Sequence, residues 1–185
     1  MQRDRERLKA LLAKTVKHGT FTLASGETSD FYIDARLVTL DQEGSMLTGA
    51  EAAELARTLG ATALGGPATA ACPIVTAAGI AARVAGLPLK LSYVRGEAKK
   101  HGTKKLVEGP PLEATDRILV VDDVCTSGGS FLKAIAALRE ETKAQVVGAF
   151  ALVDRLQGGR EKLAAEGVTL HSVFTRRDFD EFRSS

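Results

Sequence analysis

The stretch from Ile118 to Ser130 reads Ile-Leu-Val-Val-Asp-Asp-Val-Cys-Thr-Ser-Gly-Gly-Ser and constrains the fold more than any other part of the chain. Ile118 to Val121 are apolar and mostly β-branched, the pattern of a buried central strand. This strand runs directly into two carboxylates, Asp122 and Asp123. Small residues follow from Thr126 to Ser130, and then a helical pattern places Phe131, Ile135 and Leu138 on one face. Strand, small-residue loop and helix start make an anion site. Loop amides and the helix N-terminus point at the ligand, and Thr126, Ser127 and Ser130 add hydroxyl donors. Gly128 and Gly129 allow close backbone approach.

An acidic pair beside a phosphate cradle needs reconciling, because carboxylates repel phosphate. A ligand with two hydroxyls, such as a ribose, does this, since carboxylates accept hydrogen bonds from a diol. A ribose 5-phosphate satisfies both halves of the loop. The alternative is a surface turn capped by Asp and Ser. No Gly-Lys-Ser/Thr ends the loop, so it is not a P-loop.

The thirteen residues resemble the phosphoribosyl-diphosphate (PRPP) motif of type I phosphoribosyltransferases. The expected fold is α/β: a central, mostly parallel sheet flanked by helices, with a small N-terminal hood. Strands alternating with helices along the chain argue independently for a parallel sheet with its ligand loops at the carboxyl ends of the strands.

The chain has 185 residues, 44% hydrophobic and 26% charged, which suits one domain with a sizeable core. The expected division is a hood over residues 1–40 and an α/β core over 41–185. A net charge of +2 is too weak to argue for nucleic acid. The bases concentrate instead between Arg95 and Lys105. Cys72 and Cys125 lack metal-ligand spacing, so reduced thiols in a cytoplasmic protein are expected. No apolar run has the length of a membrane span or the form of a signal peptide.

In chain order, the expected elements begin with a helix over Arg5 to Val16, ended by His18-Gly19. Short strands over Phe21 to Leu23 and Phe31 to Asp34 flank the turn Ser25-Gly26-Glu27. A helix covers Ser45 to Leu59, a strand Thr62 to Leu64, and a helix Pro73 to Val84. A strand covers Leu89 to Tyr93, an exposed loop Arg95 to Lys104, and a possible return strand Leu106-Val107. After the central strand and its helix come a strand over Gln145 to Val153, a helix over Arg160 to Glu166, a strand over Val168 to Phe174 and a terminal helix over Arg176 to Arg183. His171 is expected to be structural.

Three further stretches narrow the resemblance to orotate phosphoribosyltransferases: Thr22 to Asp34, which contains Ser25-Gly26 and Phe31-Tyr32-Ile33-Asp34; Arg95 to Gly102, Arg-Gly-Glu-Ala-Lys-Lys-His-Gly; and Val153 to Gly159, Val-Asp-Arg-Leu-Gln-Gly-Gly. The resemblance implies transfer of a phosphoribosyl group from PRPP to orotate with Mg²⁺, releasing pyrophosphate. It implies catalytic roles for Asp123, Arg95, Lys99 and His101. PRPP would be held by Arg95, Lys99, Lys100, His101 and the run Asp122, Asp123, Val124, Cys125, Thr126, Ser127, Gly128, Gly129 and Ser130. Orotate would be held by Thr126, Arg155, Tyr32 and Ile33, with Arg155 forking its carboxylate. For Arg155 the alternative is a surface Asp154–Arg155 turn.

Mg²⁺ is expected on the substrate and water rather than in a protein cage. A homodimer is implied, each Arg95 to Lys104 loop acting across the interface. Many relatives carry Lys where this chain has Ala24, Ala70 and Gly96. Another base-specific phosphoribosyltransferase and a PRPP-sensing regulator remain alternatives. Neither a recognition helix nor an appended domain favours the regulator.

Overall fold

The computed structural model describes residues 2–22, 28–97 and 105–182. Its centre is a five-stranded, fully parallel sheet in the order β4-β3-β7-β8-β9. The strands are β3 (Ala63–Gly65), β4 (Lys90–Leu91), β7 (Arg117–Cys125), β8 (Gln145–Asp154) and β9 (Leu170–Thr175).

Side chains alternate across a strand, so a run buried on both faces needs helices on both sides. Ile118 and Val120 pack with Phe131, Ile135, Leu138 and Leu163, which belong to α5 (Gly129–Glu141) and α6 (Gly159–Ala165). Leu119 and Val121 turn the other way. They meet the alanine-rich faces of α3 (Gln42–Thr58) and α4 (Ala71–Val84). The Asp41 side chain caps α3 by accepting from the Gly44 amide at 2.9 Å.

A third cluster covers part of the sheet. Leu8 and Leu12 of α1 (Gln2–Ala13) pack with Phe31 and Ile33 of β2 (Thr28–Ile33), Val38 of the one-turn α2 (Arg36–Thr39), and Leu152, Val153 and Phe174 of the sheet. β2 pairs antiparallel with β1 (Val16–Thr22). A second small ribbon joins β5 (Tyr93–Val94) to β6 (Val107–Glu108), antiparallel.

Several sequence expectations shift. The first helix stops at Ala13, not Val16. The Thr15 amide and hydroxyl both bond the Leu12 carbonyl, and β-branched Val16 pairs with Ile33. His18 is therefore not a helix cap: it lies in β1 opposite Phe31. The stretch Leu89 to Tyr93 is two strands. Ser92 separates them, its hydroxyl donating to the Leu64 carbonyl at 2.9 Å. The chain then leaves the sheet for the ribbon. The C-terminal helix is a 3-10 turn over Arg176–Phe182. His171 sits half-buried in β9, and burial lowers its pKa, in keeping with a structural place. Leu23, Ala24, the turn Ser25-Gly26-Glu27, Lys99, Lys100, His101 and Arg183 lie outside the described residues.

The central correction concerns β7. The sequence suggests a strand ending at Val121, with the carboxylates in the following loop. The strand instead continues to Cys125. Its pairing with β8 runs on through Asp122↔Ala151, Val124↔Val153 and Cys125↔Asp154. Long β8 offers a ladder, and the acidic pair is drawn into the sheet.

Candidate active site

Parallel strands present their carboxyl ends on one edge, and the candidate residues collect there. The loop after β3 runs from Gly66 to Ala70 and contains a cis peptide between Ala68 and Thr69. It is tied to the base of the basic segment: the Ala68 amide donates to Val94 at 2.7 Å, and the Val94 amide donates to Gly66 at 2.8 Å. Arg95 follows, its amide bonded to the Leu106 carbonyl at 2.9 Å. Its guanidinium lies 3.7 Å from Glu108 and also donates to the Glu97 carbonyl at 3.3 Å. Glu141, at the end of α5, accepts from the Leu106 and Val107 amides at 2.7 and 3.0 Å. The returning arm of the segment is thus anchored to that helix.

Asp122 is 3% exposed. One carboxyl oxygen accepts from the Ser130 hydroxyl at 2.8 Å, the other from the Asp123 amide at 3.0 Å. Burial, reinforced by the neighbouring Asp123 charge, pushes the Asp122 carboxyl up to about 8. Asp123 is half-buried and accepts from the Val124 amide at 2.7 Å. Burial raises its pKa too, while the charge of Arg36 opposes the rise. Cys125 is buried, and burial pushes its thiol up to about 12, which makes it an inert packing group.

Thr126 and Ser127 lead to Gly128, which precedes α5 in the left-handed region at φ 78°. A Cβ there would also lie 3.2 Å from the backbone of Gly159. Gly129 and Ser130 open the helix, so their amides face the loop as helix N-termini do.

Asp154 and Arg155 are 0% and 6% exposed, which overturns the reading of this dipeptide as a surface turn. Asp154 takes the Arg160 guanidinium through contacts of 3.1 and 3.2 Å. The Arg155 amide bonds the Cys125 carbonyl at 2.8 Å, which brings it beside the PRPP-like loop. Its guanidinium donates to the Phe31 carbonyl and lies 5.8 Å from the Phe31 ring. Arg155 therefore joins the sheet edge to β2. Tyr32 and Ile33 are neighbours in β2 and so point to opposite faces. Ile33 enters the core, and Tyr32 lies 5.4 Å from the Phe21 ring. The structure thus gathers Asp122 to Ser130, Arg95 and Arg155 at one edge and gives Tyr32 and Ile33 separate surroundings.

Sequence reasoning passed over Asp34 and Arg36. Arg36 grips Asp34 through Nε and Nη2 at 3.0 and 3.2 Å. Their Asp-x-Arg spacing was the available signal. It also passed over Glu141, which looks like any surface acid at a helix end.

Comparison with known proteins decides among the phosphoribosyl-binding readings. A phosphoribosyl transferase domain model matches residues 40–179. The orotate phosphoribosyltransferase of Sorangium cellulosum is 42% identical over 182 residues, 95% of this chain and 93% of its own. The chain belongs to the orotate phosphoribosyltransferase family. Within this family, the Mycobacterium tuberculosis protein solved in complex with PRPP is 33% identical, with a TM-score of 0.78 over 95% of this chain and 98% of that one. The Aeropyrum pernix family member is 37% identical, with a TM-score of 0.76 over 96% of each chain.

Proposed function

We propose that this chain transfers the 5-phosphoribosyl group of PRPP to orotate, giving orotidine 5′-monophosphate and pyrophosphate in pyrimidine biosynthesis. The observation that carries the reading is the carboxyl edge of β7: a buried and a half-buried aspartate side by side, followed by a left-handed glycine and an open helix start. Asp122 and Asp123 accept the ribose 2′ and 3′ hydroxyls. The amides and hydroxyls of Thr126 to Ser130 hold the 5′-phosphate, with Val124 and Cys125 as the approach strand.

In the reaction the C1′–O bond breaks, its electron pair leaves with pyrophosphate, and orotate nitrogen bonds C1′. Arg95, Lys99, Lys100 and His101 offset the charge on the departing group, and a closed site excludes water. Asp123 stands beside the positive charge that develops on the ribose ring. Arg155, Thr126, Tyr32 and the backbone at Ile33 form the orotate side. For Arg155 this requires the guanidinium to serve the orotate carboxylate from its place beside Phe31.

Mg²⁺ fits the donor set. Two adjacent carboxylates suit an ion that keeps most of its water and rides on the substrate diphosphate. When bound, it neutralises diphosphate charge. Among the described residues no cluster of three or more His, Cys, Asp or Glu is arranged to hold a metal.

The active form is a homodimer with the Arg95 to Lys104 loop reaching the neighbouring site. Exposed Leu40, Met46, Ile80 and Val84 line one groove and support this, since such side chains on one face suit a partner. Residues 1–40 serve as a hood on the 41–185 core, and the reaction belongs in the cytoplasm. No described helix is long and apolar enough to cross a membrane.

The test is incubation of the protein with PRPP, Mg²⁺ and either orotate, uracil or a purine base. Orotate alone should be consumed at a high rate; equal turnover of uracil would remove the assignment. The shared site is tested by mixing Lys99→Ala with Asp123→Asn subunits, each inactive alone. Hybrid dimers carry one intact site, so activity should return to roughly a quarter of wild type. An exchanged but inactive mixture would sink the loop in trans.

A further inference from the structure

A groove of about 1250 Å³ opens between α2, α3 and α4, lined in part by Thr69 and Ala70 of the loop after β3 and by Cys72 and Pro73 at the start of α4. Among the described residues lining it, Arg36 is the only charged one. The wall from Thr69 to Pro73 supplies hydroxyl and backbone groups but no cation.

Arg36 is aimed rather than loose. Asp34 occupies one edge of the guanidinium, with Nε on one carboxylate oxygen at 3.0 Å and Nη2 on the other at 3.2 Å. A guanidinium has five N–H donors in a rigid plane. A carboxylate on the Nε/Nη2 edge leaves the Nη1/Nη2 edge available for a second planar or tetrahedral anion. The Arg36 side chain is 57% exposed, so this edge is accessible. An ion pair this exposed contributes little to stability. Its value lies in orientation.

The direction of that aim matters. Arg36 follows β2 by three residues and lines the groove together with Thr69 and Ala70, and its charge acts on Asp123. It therefore shares one groove with the uncharged loop after β3 and lies within electrostatic reach of a carboxylate that would receive the ribose. The groove offers room there for a diphosphate attached to C1′ of that ribose.

We propose that Arg36 is a diphosphate-binding residue: it presents its Nη1/Nη2 edge to PRPP and to the departing pyrophosphate, held in place by Asp34. The assignment rests on the reading above that this chain uses PRPP. It supplies a cation on the α2 side of the groove.

The test is calorimetric binding of magnesium pyrophosphate and, separately, of ribose 5-phosphate. Arg36→Ala should weaken pyrophosphate binding by about tenfold to a hundredfold, the range for a lost hydrogen bond to a charged group, while ribose 5-phosphate binding stays unchanged. Arg36→Lys should recover part of the loss. Asp34→Asn, which loosens the fork but keeps the cation, should lose less than Arg36→Ala. The assignment is overturned by unchanged pyrophosphate affinity in Arg36→Ala, or by equal loss of both ligands. Equal losses in Arg36→Ala and Asp34→Asn would support the proposal in its stricter form, with the guanidinium binding only when Asp34 holds it. A changed oligomeric mass in Arg36→Ala would assign the residue to the apolar face beside it and also overturn the proposal. Should the wild type bind neither ligand, PRPP use itself fails, which is a separate result.

Discussion

The turns after β7 and β8 share a backbone recipe and have different neighbours. Each strand ends near a buried aspartate, each turn carries a Gly-Gly pair, and Gly128 and Gly158 take nearly the same left-handed conformation, φ 78° and 81°. In the first turn, Asp122 takes the Ser130 hydroxyl. In the second, Asp154 takes the Arg160 guanidinium. A Cβ on Gly158 would meet nothing within 4 Å, whereas one on Gly159 would lie 2.5 Å from the Cys125 sulfur and 2.7 Å from the Thr126 carbonyl oxygen. The second turn is wedged beneath the first. In the proposed function the first turn receives the phosphate and the second supports it, and the two can be told apart only by what surrounds them.

The largest effect should come from Arg160→Ala. It leaves the fully buried Asp154 carboxylate without its guanidinium, at a cost of about 3 kcal/mol, read by urea denaturation. A loss below measurement would mean that Asp154 is as self-sufficient as Asp122, and the contrast would fail. Next is Gly159→Val. Overpacking against Cys125 and Thr126 should cost about 1–3 kcal/mol and weaken ribose 5-phosphate binding, although the residue lies outside the phosphate loop. Normal phosphate affinity in a folded Gly159→Val protein would break the support relation.

Asp122 sharpens the comparison through pH. The folded protein keeps the Asp122 proton up to about 8, against 3.8 for the ordinary group. Between these values the native state binds more protons than the unfolded one, so the Asp122 contribution to stability falls as pH rises. Asp122→Asn should therefore stabilise the unliganded protein at pH 8, with the gain shrinking towards pH 5. Melting curves across that range would show it; a gain that grows on acidification contradicts the sign. The smallest effect belongs to Gly158→Ala, which faces open space and should cost about 1–2 kcal/mol from left-handed strain alone. Its ribose 5-phosphate binding should be that of the wild type.

The α/β alternation and the segment from Asp122 to Ser130 were legible because β-branched runs, an acid pair and paired glycines are local signals. Two kinds of information were not. Continuation of β7 through Asp122 and Asp123 depends on the long partner strand β8, which no local propensity encodes. Burial of Arg155 depends on Phe31, more than a hundred residues earlier. Arg36 stayed hidden because in sequence it is an ordinary cation after an ordinary acid. The end of α1 was missed for a smaller reason, since Val16 continues the apolar helical period while its backbone pairs in β1.

Helix α5 joins two regions that would otherwise have no fixed separation. Its first turn carries Gly129 and Ser130, and its last residue, Glu141, grips the backbone of Leu106 and Val107. Thirteen residues at 1.5 Å each make a rod of about 20 Å. The rod works as a gauge block between the proposed phosphate loop and the root of the basic segment. A single residue inserted within it would rotate Glu141 about 100° away from those amides. The length of this helix is therefore part of the specification of the site, even where its middle residues touch no ligand.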